Sequence, residues 1–555
     1  MASGCHAARG SDACQVRRLG PLTCGRLPRV HGRELQAVSA AEWFLSRAER
    51  GNPATHVDDR HPDGRAWSLG NEVRALVHGN TYFRSVLAAV NGTRAGDLVL
   101  FTEWRGDPDE RLDGPGTEVA TVLCDAVRRG VIVKGLVWRS HWEQLHFSAR
   151  QNRRLADEVQ AAGGEVLLDM RIRPGGSHHQ KLLVVRHPGR IERDVAYVGG
   201  IDLCHGRNDD QRHAGDPQVP PMAQEYGDQP PWHDIQLEIR GPAVGDVEAV
   251  FRERWNDPSE LSRNPVRWLR DLVDRRDISA DPLPEQLPDP PRLGICALQM
   301  LRTYPRRRKG YPFAPKGERS VARGYIKALR RARQLIYIED QYLWSAEVVR
   351  PFAQALRENQ SLHLIAVLPT HPDAPSRLTA AAQSLGRTQA LERLQEAGGD
   401  RVALYGLENS AGTPIYVHAK ACVIDDTWAT VGSDNFNLRS WTYDTELTCA
   451  VYDDTAGGFA RDLRLTLARE HLGRAEADDA DLRDPFAFFA AFAKAAQELD
   501  DWYDGGCAGP RPSGRLRRNQ PPKIDRWRTL PAHLLYRLVC DPDGRPAKLR
   551  RTHDF

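Results

Sequence analysis

The stretch GGSHHQKLLVV, Gly175 to Val185, sets two adjacent histidines and a lysine directly ahead of a run of leucines and valines. The run is short, apolar and partly β-branched, which reads as a buried strand. Residues i and i+2 of an extended chain point to the same side, so His179 and Lys181 face one way. Alone, a His-x-Lys beside a strand is an ordinary solvated strand end. The same spacing recurs in YVHAKACVIDD, where His418 and Lys420 precede the apolar run ACVI. That recurrence points to an internal duplication.

Outward from these two stretches, the halves of the chain share one order of elements. NTYFRSVLAAVNGTRAGDLVLFTEW reads as an amphipathic helix, a Gly-containing break and a strand ending at Glu103-Trp104. VARGYIKALRRARQLIYIEDQYLW repeats that order, with LIYIEDQY as the strand. A helix and a further apolar strand follow in each half, and then the His-x-Lys strand. The spacing from Glu103 to His179 is 76 positions, and from Glu339 to His418 it is 79. Beyond the histidines, AYVGGIDL and ATVGSDNFNLRS end strands in Gly-Gly and Gly-Ser, with Asp202 and Asn435 two residues on. WHDIQLEI and YDTELTCAVYD then open strands near Asp234 and Glu446. Alternation on this scale predicts an α/β fold of two tandem repeated lobes. Each lobe is a mixed or parallel β-sheet flanked by helices, and the two pack with pseudo-two-fold symmetry around one active site.

The predicted boundaries are an N-terminal extension at 1–69, with roughly the first 35 residues disordered, a first lobe at 70–276 and a second at 294–475. The Pro- and acid-rich segment 277–293 is the linker, and 476–555 holds a C-terminal helix and tail. That helix starts with Asp484 as cap and Pro485 at its first position, and Phe486, Phe489, Phe492 and Leu499 recur at helical spacing as a packing face. Residues 205–231, rich in Asp, Gln, Gly and Pro, read as a long loop inserted after the first Gly-Gly.

Of the 555 residues, 41% are hydrophobic and 27% charged, a globular composition. No apolar run approaches the roughly 20 residues of a membrane-spanning helix, and the first thirty residues hold no signal-peptide core. The expectation is a cytoplasmic protein, or one peripheral to a membrane, acting as a monomer. A net charge of +3 is too near neutral for a dedicated nucleic-acid binder. Arg306 to Lys309, PRRRKG, read as a solvated loop. The ten cysteines show no metal-like spacing and no disulfide framework.

If the lobes face one another, two imidazoles and two ammonium groups converge. Lysines suit a phosphate and stabilise charge on its equatorial oxygens. One histidine then attacks phosphorus while the other protonates the leaving alcohol and later activates water. The lysines supply the positive charge, so the reading assigns no metal and no cofactor. Asp234 and Glu446 are placed to fix the histidine tautomers. Asn435 is placed to donate to a phosphate oxygen, and Asp202 to contact substrate. Gly199, Gly200, Gly432 and Ser433 would allow close approach of backbone and substrate.

HAKACVID followed by GSDNFNLRS resembles the His-x-Lys-x4-Asp signature of the phospholipase D superfamily. HHQKLLVV with AYVGGIDLCHGRNDD and PWHDIQLEIRG is similar to the first such motif of the large phosphatidylcholine-cleaving members, and IYIEDQY to a further element of theirs. The resemblance covers roughly residues 70 to 475. It implies a two-lobed α/β fold, a phosphohistidine intermediate, and hydrolysis or head-group exchange on phospholipids at a membrane surface. By that analogy His179 is the nucleophile and His418 the acid/base, roles the residues themselves do not separate. The second motif keeps its aspartate, Asp425, whereas the first has Arg186, with Asp194 across a longer hairpin as a replacement carboxylate. Strand parity turns Asp425 away from His418 and Lys420, which makes it structural. Three other readings stay open: a cardiolipin synthase-like phosphatidyltransferase, a nuclease, and an inactive lipid-binding scaffold.

Overall fold

The computed structural model describes residues 39–61, 64–141, 147–220, 222–262, 264–273, 276–372, 377–453, 458–519, 533 and 535–555. The expectation of disorder over roughly the first 35 residues lies outside them, as do Cys5, Cys14 and Cys24.

Seven strands build the first lobe: β1 (Ser68–Val77), β2 (Leu98–Glu103), β3 (Ile132–Trp138), β4 (Glu165–Asp169), β5 (Leu182–Arg186), β6 (Val195–Gly199) and β7 (Ile235–Arg240). They hydrogen-bond in the order β4-β3-β2-β5-β6-β7-β1, parallel from β4 to β2 and antiparallel after that. The second lobe repeats this with β8 (Cys296–Tyr304), β9 (Leu335–Glu339), β10 (His363–Val367), β11 (Val402–Glu408), β12 (Ala421–Ile424), β13 (Trp428–Gly432) and β14 (Glu446–Tyr452). Its order is β11-β10-β9-β12-β13-β14-β8, with the same directions at each step. β1 and β8 pair antiparallel at Ser68–Leu298 and Asn71–Cys296, joining the two sheets at equivalent strands.

Parallel neighbours need crossover connections. Helices Val119–Arg128 and Phe147–Ala161 supply them in the first lobe, and Arg350–Glu358 and Arg377–Gly398 in the second. With both sheet faces covered, strands read as continuous apolar runs. Alternate residues divide between cores. Leu100 of β2 and Tyr337 of β9 point into one shared core between the sheets, while Val99, Phe101, Ile336 and Ile338 point to the outer, helix-covered faces.

The register corrects one sequence alignment. Thr102 pairs with Leu182, and Glu339 with Ala421, each partner being the residue just after the motif lysine. Glu103 is therefore equivalent to Asp340, not Glu339; counting from strand ends missed this by one position.

The segments flanking the lobes are also built in. Phe44 and Leu45 pack into the outer core of the second lobe, and Arg50 donates to Glu318 and to the Met300 carbonyl, each at 2.9 Å. Asp484 caps helix Pro485–Asp504, accepting from the amides of Phe486 and Ala487. Of the expected stripe, Phe492 and Leu499 are buried and Phe489 packs on the core, whereas Phe486 is 44% exposed and Phe488 takes its place in the packing face. Leu516–Arg518 extends the second sheet beside β11, and Phe555 packs on Trp441. In the PRRRKG loop, Arg307 is buried against Asp257 at 2.5 Å, a structural contact. Cys124, Cys204, Cys296, Cys422 and Cys449 are buried free thiols.

Candidate active site

The His-x-Lys segments enter β5 and β12, and each is laid against the other lobe. The His179 amide donates to the Thr445 carbonyl at 2.9 Å, placing His179 beside Glu446. Tyr416–Val417 run parallel to Trp232–His233, and the His418 amide donates to the His233 carbonyl at 2.8 Å, placing His418 beside Asp234. The carboxylates consequently act across the lobes. Glu446 Oε2 lies 2.9 Å from His179 Nδ1, and Asp234 Oδ2 lies 2.6 Å from His418 Nδ1. In both rings this leaves Nε2 for chemistry.

The lysines are equally fixed. Lys181 Nζ donates to the His179 carbonyl at 3.0 Å and lies 3.3 Å from Asp202. Lys420 donates to Gln341 at 3.2 Å and to the His418 carbonyl. Burial pushes the Lys420 ammonium down to about 8, against the pull of Asp234 and Asp340. Burial, reinforced by the neighbouring ammonium groups, holds both imidazoles well below their ordinary range. The two carboxylates differ. Burial drives Glu446 up to about 8, partly opposed by the Ser433 hydroxyl. For Asp234 the burial penalty is outweighed by His418 and Lys420, and its carboxyl sits below the usual range.

His179 and His418 open into a shared cavity of about 450 Å³, with Asn435, Asp202 and Glu446 on its wall. A roomier cleft of about 620 Å³, lined by Trp255, Asp257 and Asp281, holds none of these groups, so chemistry rather than volume picks the site. The Asn435 side-chain oxygen is buried at this wall without a hydrogen-bond partner. Three residues read as substrate contacts have close protein neighbours. Ser433 is fully buried and donates to Glu446 Oε2 at 2.5 Å. A Cβ on Gly199 would lie 2.4 Å from the Gln236 side chain, and one on Gly200 would lie 2.3 Å from Asp234 Oδ1. These glycines make room for β7 and for the Asp234 carboxylate.

Asp425, at positive φ, accepts backbone N–H bonds from Arg333, Gln334 and Leu335 and so fixes the turn into β9. Arg186, at the equivalent place, is fully buried between Asp194 at 2.8 Å and Glu248 at 2.6 Å, and donates to the Pro288 carbonyl. Asp194 also accepts the His187 amide at 2.6 Å.

The aromatic lining was missed by the sequence reading. Trp104 and Trp138 stack at 5.6 Å, and Trp232 lies between Tyr416 and His418 at 4.8 and 4.9 Å. Arg207, from the long connection after Gly200, lies over Trp232 at 3.8 Å. Trp104 follows β2 and Trp138 ends β3. The rule that ligands bind beyond the carboxyl ends of parallel strands was the signal that could have found them.

A fold made of two equivalent lobes, each giving the histidine of its His-x-Lys motif to one cavity with the lysine buried directly behind it, defines a class that the comparisons match. Residues 155–286 match the family described as phospholipase D, and residues 325–464 the one described as cardiolipin synthase, PLD-like domain. The chain belongs to the phospholipase D superfamily. Phospholipase D alpha 2 of Oryza sativa subsp. japonica is 28% identical over 424 residues, covering 56% of this chain and 51% of its own length. Phospholipase D beta 1 of Arabidopsis thaliana is 27% identical over 396 residues, covering 54% and 36%. The chain thus spans about half the length, or less, of these curated relatives. Among solved structures, the phosphatidylserine synthase of Haemophilus influenzae Rd KW20 is 13% identical, covering 78% of this chain and 94% of that one with a TM-score of 0.48.

Proposed function

We propose that the chain is a phospholipase D-type phosphodiesterase that cleaves the terminal phosphodiester of phospholipids, phosphatidylcholine foremost. The observation that carries this is the crossed pairing: each histidine is held at Nδ1 by a carboxylate of the other lobe, and both rings open to one cavity.

His179 Nε2 attacks phosphorus as the P–O bond to the head-group alcohol breaks, and His418 delivers its Nε2 proton to the departing oxygen. In the second step His418 takes a proton from water. That water attacks the phosphohistidine, the P–N bond breaks, and phosphatidic acid leaves with His179 neutral again. Lys181, Lys420 and the Asn435 amide stabilise the equatorial oxygens in both steps. An alcohol in place of water gives head-group transfer by the same atoms.

The roles divide through Glu446. A carboxyl raised to about 8 is largely protonated at neutral pH and offers His179 little charge to stabilise an imidazolium. Asp234, by contrast, stays charged beside His418 and offsets the burial that holds both imidazoles down, which supports His418 as the ring that carries the acid proton and His179 as the nucleophile. The tryptophans and Tyr416 on the cavity wall suit a quaternary ammonium, which binds aromatic faces by cation–π attraction. Among the described residues no helix is long and apolar enough to cross a membrane, so the lipid would be met from its surface.

Phosphatidylcholine vesicles with ethanol present test this. Wild type should release choline and form phosphatidic acid with some phosphatidylethanol, and His179→Ala and His418→Ala should do neither. No choline release from folded wild type would sink the assignment, and vesicle binding without turnover would favour the scaffold reading.

A further inference from the structure

Behind the His418–Asp234 pair lies a polar cluster that the reaction does not use. His78 directly follows β1 at the start of helix Gly79–Asn91, His213 sits in the long connection, and His233 adjoins Asp234. They converge on Glu470, from helix Phe459–Leu472 of the second lobe. The three histidines are 3%, 0% and 0% exposed. His78 Nε2 lies 2.7 Å from Glu470 Oε2, while His213 Nε2 and His233 Nδ1 lie 2.9 and 3.7 Å from Oε1. One ligand atom from each residue falls within 4.8 Å of all the others. Ligands around a tetrahedral ion with bonds of about 2.0 Å stand roughly 3.3 Å apart, so the spacing is close to closed.

Outer contacts decide where the protons sit. His213 Nδ1 faces the Trp232 carbonyl at 3.0 Å, so it carries the hydrogen and the lone pair of the neutral ring is on Nε2. His233 Nε2 lies 2.6 Å from Glu339, so in the neutral ring the lone pair is on Nδ1, which is buried without a hydrogen bond. Glu339 is itself fixed by the Tyr337 hydroxyl at 2.5 Å and His471 at 2.7 Å. Two lone pairs aimed at a carboxylate repel it unless a cation joins them. An imidazole anchored at one nitrogen to a carbonyl or carboxylate, with the other nitrogen free, is the outer arrangement of metal-bound histidine. A divalent ion against Glu470 and Glu339 leaves the cluster neutral. The flanking Arg515, 3.6 Å from Glu470, and Asp209, 3.7 Å from His213, form a further pair of opposite charges. The competing arrangement is two protons, giving imidazoliums at His213 and His233 with centroids 5.8 Å apart in the interior.

We propose that His78, His213, His233 and Glu470 form a structural site for a divalent transition-metal ion of the zinc class. Three imidazole nitrogens and one carboxylate oxygen suit zinc and exclude the oxygen-seeking calcium and magnesium. The ion ties a second-lobe helix to the first lobe, and it braces the His233 carbonyl that accepts from the amides of His418 at 2.8 Å and Ala419 at 3.2 Å. This adds a metal where the sequence reading assigned none, outside the reacting groups.

The test uses the untagged full chain and readouts independent of turnover. Metal content is measured as purified, then again after chelator dialysis and titration with zinc sulfate. Cobalt(II) is added in parallel. The expected result is about one zinc per chain, a zinc-dependent rise in thermal midpoint, and the visible absorption of four-coordinate cobalt. The double variant His78→Gln/His213→Gln should bind zinc at least about 100-fold more weakly. Wild type that takes up no zinc and shows no midpoint shift would mean a proton-filled cluster and overturn the proposal, as would undiminished binding in the double variant. Should that variant fail to fold, the wild-type stoichiometry and cobalt spectrum decide.

Discussion

Asp234 holds His418 at 2.6 Å from 184 positions away in the chain and from the opposite lobe. Glu446 does the same for His179 at 2.9 Å. Neither repeat contains a complete acid–base pair, so duplication and lobe packing are conditions for the chemistry. The crossing arises because each motif segment runs beside the carboxylate-bearing segment of the other lobe.

The two histidines are separable by leaving group. From a phosphodiester of 4-nitrophenol, the nitrophenolate leaves without needing a proton. His418→Ala should then release about one equivalent of nitrophenol in a burst and stall as phosphohistidine, because no base activates water. His179→Ala should give no burst. With phosphatidylcholine, both variants should lose at least about 10²–10⁴ in turnover. A burst from His179→Ala and none from His418→Ala would exchange the assigned roles. Burst kinetics and phosphopeptide mapping provide the readout.

Glu446 makes stability pH-dependent in a stated direction. Its folded value of about 8 lies above the ordinary 4.5, so the folded state binds the extra proton between these limits. Its contribution is fully present below about pH 4.5 and is lost as pH rises through 8. Glu446→Gln keeps a neutral side chain throughout. Relative to wild type it should therefore gain stability from about pH 5 to pH 8, by at most on the order of 4 kcal/mol. Urea unfolding at a series of pH values measures this, and a constant difference across the range would refute it.

Gly200 controls how near Asp234 comes to His418. A Cβ there would sit 2.3 Å from Asp234 Oδ1, and one of the two must shift. A displacement of about 1 Å near reacting groups costs on the order of 10² in rate. Gly200→Ala should lower turnover by about 10–100-fold at unchanged vesicle binding. Unchanged turnover would mean that the carboxylate has slack.

The sequence shows the duplicated frame because both sheet faces are buried: apolar runs such as LVLFTE and ACVI mark each inner strand, and the paired motifs mark equivalent places. It showed Asp234 and Glu446 as candidates, but strand parity describes one strand at a time and could not say which lobe each would serve. Smallness at Gly199, Gly200 and Ser433 shows that something is close, not what; the neighbours include Gln236, Asp234 and Glu446. The Glu103–Asp340 equivalence was blurred because strand ends are set by hydrogen bonding rather than by residue type. His78 and Glu470 are 392 positions apart, and neither stands in a local pattern, so their meeting follows only from how the lobes pack.

Arg186 is the chain's departure from its own second motif, and its surroundings predict what restoring the aspartate would do. Asp425 is useful because three backbone amides point at it. Arg186 instead faces two buried carboxylates, Asp194 and Glu248, and donates in addition to the Pro288 carbonyl. Arg186→Asp would place a third carboxylate among them and remove the guanidinium paired with both. Removing one partner of a buried ion pair costs about 3–5 kcal/mol, and like-charge repulsion adds to that. Arg186→Met should cost about 3–5 kcal/mol, and Arg186→Asp more. The side chain is turned from the cavity, so the molecules that remain folded should turn over at the wild-type rate. Denaturant unfolding together with turnover per folded molecule well below the transition tests both halves. A loss of turnover by orders of magnitude with stability unchanged would instead place Arg186 in the chemistry.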